Sequence, residues 1–418
     1  MSTAWTSRYA LRTKGIRSSA IRELLKLTQN PQVISFAGGL PASELFPIER
    51  FQEACRKVLE KSAAAALQYG ETEGYLPLRE MIARHTSRYG IKAKIENVLI
   101  TTGSQQALDL IGKLLINAGD RVLVEAPTYL GALQAFGAYG AEYASVPCDE
   151  DGLRTDLVEA PLRSGPKFMY VLPNFQNPGG TTLAEDRRHT LVLLADKYGI
   201  PIVEDDPYGQ LRYEGEHLPP LVELDRENVP RDSGYMLGNV IYLSTFSKTL
   251  APGLRLGWIV APPEVIAKLA QLKQGTDLHT STFAQVVAHE VARENFLDKH
   301  VKKLRIAYRE RRDAMLEALA QTFPAEVTWT RPKGGLFLWV TLAKGMDANE
   351  LFQEALKQNV AFVPGDSFFA PDGQGQESNR HMRLNFSHPR PEEIREGIRR
   401  LSVAVKTQLE RSLVVRRG

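Results

Sequence analysis

The chain has 418 residues, of which 43% are hydrophobic and 24% charged, with 32 Gly and 24 Pro; this is the composition of a globular chain with a sizeable core and excludes a disordered, collagenous or disulfide-stapled one. Its 52 Lys+Arg against 49 Asp+Glu leave a net charge of +3, too small and dispersed for the footprint of a dedicated nucleic-acid binder. Two cysteines, Cys55 and Cys148, allow neither a disulfide framework nor a Cys/His zinc site, and no apolar run nears the ~20 residues of a membrane helix, so the reading is a cytoplasmic protein.

Taken in order, residues 1–22 hold Arg8, Arg12, Lys14, Arg17 and Arg22 but no acid. They run without a cleavage-like break into the rest and are read as folded chain rather than a transit peptide. Seven β-rich runs follow, Val98 to Thr101, Arg121 to Glu125, Glu142 to Val146, Phe168 to Leu172, Ile200 to Glu204, Val240 to Ser244 and Leu256 to Val260. They alternate with helical patterns such as Gln105 to Asn117, where Leu108, Ile111, Leu114 and Leu115 recur at helical spacing. That alternation predicts an α/β fold, a large domain over 49–285 around a mostly parallel seven-stranded sheet. From about Phe283 the pattern becomes a long charged helix, strands at Val327 to Trp329 and Gly335 to Val340, a helix at Asn349 to Gln358, and strands at Val360 and Met382. This predicts a smaller α+β domain over 286–418, to which the N-terminal segment 1–48 also belongs. Gly215 to Pro230 and Pro371 to Asn379 read as surface loops.

In parallel sheets ligands bind beyond the carboxyl ends of the strands. One strand ends in Thr245-Phe246-Ser247-Lys248, followed by Pro252-Gly253-Leu254-Arg255. Two hydroxyls and a guanidinium suit a dianionic phosphate, and a lysine amine beside them can condense with an aldehyde. Phosphate plus aldehyde suggests pyridoxal phosphate. Such a cofactor needs a helix start for its phosphate, which Gly103-Ser104-Gln105 offers, and a buried carboxylate for its ring nitrogen. Glu204-Asp205-Asp206 ends another strand with three acids, and Tyr208 and Asn177 supply a phenol and an amide for the 3-oxygen.

Gly103-Ser104-Gln105, Asn177-Pro178, Asp205-x-x-Tyr208, Ser247-Lys248 and Arg255-Leu256-Gly257 resemble, in order and approximate spacing, the fold type I, class I/II aminotransferases. Ile21 to Gln29 and Ser35 to Pro41 resemble in particular the 2-aminoadipate aminotransferase branch, which shares motifs with kynurenine and broad-range aromatic aminotransferases. The resemblance implies pyridoxal 5′-phosphate bound covalently at Lys248, with Asp205 on the ring nitrogen, Tyr208 and Asn177 on the 3-oxygen and Tyr129 stacked on the ring. It implies phosphate ligands at Gly103, Ser104, Gln105, Thr245, Ser247 and Arg255, and a homodimer in which Tyr69 reaches the partner's phosphate. For the substrate it implies Arg383 and Asn177 at the α-carboxylate, Arg22 at a distal carboxylate, and Gly39 as a point of close backbone approach. The implied activity is transamination between an L-amino acid, 2-aminoadipate or glutamate and also branched-chain or aromatic ones, and a 2-oxo acid such as 2-oxoglutarate. Asn177-Pro178-Gly179-Gly180, with Gly where many relatives carry Thr, and Pro207 depart from the residues usual in that family without removing a catalytic atom. A pyridoxal phosphate β-lyase or decarboxylase shares Lys248 and Asp205 and is the competing enzyme reading. A MocR-like regulator would need a helix-turn-helix region ahead of site motifs that begin near residue 22. A nicotinamide dehydrogenase would need G-x-G-x-x-G after a strand, which is missing.

Overall fold

The computed structural model describes residues 4–10, 12–13, 30, 32–227, 238–373 and 378–415. A short β1 (Ile34–Ser35) precedes the strands of the main sheet: β2 (Val98–Thr101), β3 (Arg121–Ala126), β4 (Glu142–Asp149), β5 (Gly152–Leu153), β6 (Met169–Val171), β7 (Ile202–Asp205), β8 (Val240–Thr245) and β9 (Gly257–Val260). They lie in the order β2-β9-β8-β7-β6-β3-β4-β5. From β8 to β4 the neighbours are parallel, β9 runs against both β8 and β2, and β5 folds back on β4. All seven anticipated strands form, β2 over the expected residues and the other six with shifted ends. The sheet has an eighth, β5, whose two residues are too few to leave a periodic signal.

Residues alternate between two cores because helices cover both faces. Val98, Ile100, Leu123 and Ile202 join one buried cluster, while Leu99, Val122, Val124 and Val203 join the other. The helix Ser104–Leu115 buries Ala107, Leu108 and Ile111 on the second face. The helix Glu185–Tyr198 buries Leu191, Val192 and Ala195 on the first. This two-sided burial is why the strands read as near-continuous apolar runs.

The C-terminal part carries β10 (Thr328–Trp329), β11 (Phe337–Thr341), β12 (Val360–Ala361), β13 (Val363–Pro364) and β14 (His381–Asn385). Four of them form a sheet in the order β10-β11-β14-β13, and β12 pairs in parallel with β1. Phe36, Leu338, Leu384, Met315 and Leu401 share its core. Two expectations are corrected. The single long charged helix is two, Thr282–Ala292 and Phe296–Thr322, broken where Glu294 and Asn295 adopt φ of 61° and 58°. The supposed surface loop from Gly215 contains a helix, Leu221–Glu227, drawn inward because the buried Glu204 carboxylate accepts the N–H groups of Leu221 and Val222, each at 2.9 Å. The stretch from Pro371 begins as a 3₁₀ turn, Pro371–Gly373, held by Asp372, which accepts from Ser145 N at 2.8 Å and Ser145 Oγ at 2.7 Å. Among the described residues no helix is long and apolar enough to cross a membrane.

Candidate active site

The carboxyl ends of β3, β6, β7 and β8 and the start of helix Ser104–Leu115 surround a cavity of about 360 Å³. Of the residues singled out from sequence, Gly39, Ser104, Gln105, Tyr129, Asn177, Asp205, Tyr208, Thr245, Ser247, Lys248, Arg255 and Arg383 line it.

Strand alternation selects one acid of three. Glu204 points to the face of helix Leu221–Glu227. Asp206, beyond the strand, accepts from Asn174 Nδ2 at 3.0 Å, Gly209 N at 2.8 Å and Tyr242 Oη at 3.2 Å. Asp205 alone faces the cavity. Its Oδ2 accepts from Tyr170 Oη at 2.8 Å, while its buried Oδ1 has no hydrogen-bond partner among the described residues. Burial pushes its pKa up to about 7, with the hydrogen bond from Tyr170 holding it down and Asp206 raising it further. Lys248, in the turn after β8, donates to Gly39 O at 2.8 Å. Burial lowers its pKa to about 8, aided by the charges of Arg383 and Arg255. An amine and a carboxyl so perturbed in one cavity are the features of a site built for proton transfer.

On the phosphate side, Gly103 at φ 76° turns the chain from β2 into the helix. Its missing side chain matters, since a Cβ there would lie 2.7 Å from Arg255 Nη2. The Gly103 N–H is taken by Thr101 O at 2.8 Å, and the first helical bond runs from Gln106 N to Gly103 O at 3.2 Å. The amides of Ser104 and Gln105 therefore precede the helical ladder, where an anion is favoured. Ser104 Oγ is buried without a partner among the described residues. Thr245 braces the opposite turn, accepting from Ser247 N at 3.1 Å and lying 2.8 Å from Leu256 O. Gln105 Nε2 donates to Gly131 O at 2.9 Å, tying this helix to the one that Tyr129 caps.

Facing them, Arg383 of β14 is buried between Phe337 and Phe368, its guanidinium carbon 4.3 Å and 4.9 Å from the ring centroids. Nη1 donates to Asn177 Oδ1 and Nη2 to Ala37 O, both at 2.7 Å, and Nε has no partner among the described residues. Burial lowers its pKa to about 10. The Tyr208 ring meets Phe337 edge-on at 5.9 Å, and burial raises its phenol pKa.

Gly103 stands behind the wall, and Tyr69 is away from the cavity, 78% exposed, its ring edge-on to His279 at 5.7 Å. Arg22 lies outside the described residues. Sequence reasoning missed Tyr170, which only the pairing of β6 with β7 brings to Asp205, and the apolar wall residue Phe337 from β11.

A family model for aminotransferase class I and II matches residues 32–401. The chain is 48% identical over 404 residues to aromatic-amino-acid aminotransferase 1 of Thermococcus litoralis, covering 95% of this chain and 94% of that protein. It is 47% identical over 405 residues to 2-aminoadipate transaminase of Thermus thermophilus, covering 96% and 98%. Among solved structures it matches LysN, the alpha-aminoadipate aminotransferase of Thermus thermophilus, complexed with N-(5′-phosphopyridoxyl)-L-leucine. That match has a TM-score of 0.89 and 44% identity, over 98% of this chain and 100% of the other.

Proposed function

This chain belongs to the class I and II aminotransferases and is a pyridoxal 5′-phosphate-dependent enzyme, and from that premise we propose that its amino donors are 2-aminoadipate and glutamate, its acceptor 2-oxoglutarate, in two half-reactions at one site. Branched-chain and aromatic amino acids are further donors on this reading. The relatives named for 2-aminoadipate and for aromatic amino acids support it.

The observation that carries the chemistry is that the Lys248 amine and the buried Asp205 Oδ1, which has no partner among the described residues, line one cavity. The residues present suit the cofactor: an amine for its aldehyde, a carboxyl for its ring nitrogen, and the unpaired Ser104 Oγ, the Ser104 and Gln105 amides, Ser247 and Arg255 for its phosphate. When bound, pyridoxal 5′-phosphate supplies the carbonyl that carries nitrogen between substrates and a ring that delocalises the electrons left at the α-carbon. Asp205 would hold a proton at the ring nitrogen. Tyr208 and Asn177 would hydrogen-bond the 3-oxygen, and Tyr129 would pack on the ring. Lys248, with its lowered pKa, would take the proton from the substrate α-carbon and return it on the other side of the transferred nitrogen. Arg383 grips the α-carboxylate, its Nε still free and its plane fixed by two aromatic faces. Arg22 is assigned the distal carboxylate of dicarboxylic substrates, and Gly39 the close backbone approach.

The protein acts as a homodimer in which Tyr69 completes the partner's phosphate site, a reading its exposure supports. Segment 1–48 goes with the 286–418 domain against 49–285, supported by the β1 to β12 pairing. A cytoplasmic location fits two cysteines that are both unpaired.

A donor panel with 2-oxoglutarate tests the reading. We expect kcat/KM for 2-aminoadipate to exceed that for leucine or phenylalanine, and one equivalent of 2-oxo acid per site, without ammonia, when a donor is given alone. With a donor that carries a leaving group at Cβ, such as a cysteine S-conjugate, release of the thiol, pyruvate and ammonia with continued turnover and no acceptor would replace transamination by β-elimination.

A further inference from the structure

Lys273 lies in the last turn of helix Pro263–Gln274, outside the cavity wall, with a side chain 0% exposed. A buried ammonium is tolerated only when its donors are matched. Here they are matched by Gln106 Oε1 at 2.8 Å, the Asp277 carboxylate at 2.8 and 2.9 Å, and Thr280 Oγ1 at 3.0 Å. Each of those acceptors also reaches one turn. Gln106 Oε1 accepts from Thr102 N at 2.8 Å, Asp277 Oδ2 accepts from Thr102 Oγ1 at 3.0 Å and Gln106 Nε2 at 2.7 Å, and Thr280 Oγ1 lies 3.1 Å from Thr102 Oγ1. Thr102 and Gln106 bracket Gly103, Ser104 and Gln105.

We infer that Lys273, acting through Asp277, Gln106 and Thr102, is a positioning residue for the cofactor's phosphate: it fixes the turn whose Ser104 and Gln105 groups receive that dianion. With Thr102 N bound to Gln106 and Gly103 N bound to Thr101 O, the turn's earlier amides are consumed internally. Those that remain point ahead of the helix. A side chain of equal length without the ammonium would fill the space but leave the Gln106 and Asp277 oxygens short of donors, and the turn free to relax.

The inference rests on the reading of Ser104, Gln105, Ser247 and Arg255 as the phosphate site, so the experiment separates the two. Holoenzyme is equilibrated with excess pyridoxal, which lacks the phosphate, and the exchange constant against pyridoxal 5′-phosphate is read by native mass spectrometry. Wild type should strongly favour the phosphorylated form. Lys273→Met should shift the exchange constant about tenfold or more toward pyridoxal, whatever the change in melting temperature. A wild-type constant near unity would overturn the phosphate site itself. An unchanged constant in Lys273→Met, beside a wild type that discriminates, would overturn the positioning role alone. If Lys273→Met does not fold, Thr102→Val, which removes one hydroxyl from the network, should shift the constant in the same direction by a smaller factor, and no shift would overturn the inference.

Discussion

Lys273 beside Asp277, and Lys248 in one cavity with Asp205, are treated by the protein in opposite ways. Around Lys273 the donors and acceptors are matched, and Asp277 has both oxygens engaged. Burial alone would raise the Asp277 pKa, but hydrogen bonds from Lys273 and Gln106 bring it below the ordinary value. Around Lys248 the matching is deficient. Among the described residues the amine has the Gly39 carbonyl, Asp205 keeps a buried oxygen without a partner, and the Asp205 pKa rises to about 7. Matched groups fix shape. Groups left short hold binding capacity in reserve for a ligand, at a standing cost to the stability of the folded chain.

The contrast is broken most severely at Lys248. Lys248→Ala should lower kcat by about 10³-fold or more and abolish borohydride-fixed cofactor, with the circular dichroism spectrum retained. A reducible adduct persisting in that variant would move the covalent site elsewhere.

Asp205→Asn sharpens it from the other side. We expect kcat to fall by about 10²- to 10³-fold, and the cofactor-free protein to become more stable above neutrality. The folded state keeps the Asp205 proton up to a pKa of about 7, whereas the unfolded chain loses it near the usual ~3.9. Stability of the cofactor-free wild type therefore declines as pH rises through that interval and levels beyond it. The variant, which cannot ionise, should gain on the order of 1–3 kcal/mol over wild type at pH 8 and little at pH 4. Equal gains at both values in thermal melts would rule out the charge as cause.

The smallest effect is expected at Tyr170→Phe, which removes the hydrogen bond on Asp205 Oδ2. About 1 kcal/mol of support for the ionised carboxylate goes with it. The decline in stability should extend to higher pH than in wild type, and kcat at pH 7 should drop several-fold. No displacement of the pH profile would mean that Tyr170 serves only as packing.

The cofactor side of the site was legible because it sits at strand ends, where a chemically loud residue interrupts an apolar run: Asp205 after Ile202 and Val203, Lys248 after the hydroxyls of β8. The Lys273 network was not. Lys273 and Asp277 at i,i+4 read as an ordinary exposed helix pair, and only the packing of helix Pro263–Gln274 against Ser104–Leu115 buries the lysine, while Asp277 stays at the surface. Tyr170 was equally silent, since its role comes from strand pairing, a tertiary fact. The break at Glu294 and Asn295 carries neither Gly nor Pro, and helix Leu221–Glu227 owes its place to a carboxylate distant in sequence. Arg22 lies outside the described residues and stands on resemblance alone.

Because β9 runs against β8, the connection between them leaves and re-enters the sheet at the same end, and Lys248 and Arg255 both ride on it. Its mouth is closed by the pairing of Thr245 with Gly257. The reach from amine to guanidinium is therefore set by a local ribbon, whereas the reach from amine to Asp205 depends on the seam where Asp205 pairs with Leu243. Breathing along that seam would carry the first pair as one unit and stretch only the second, so the grip on one end of the ligand is insulated from motions that detune the other.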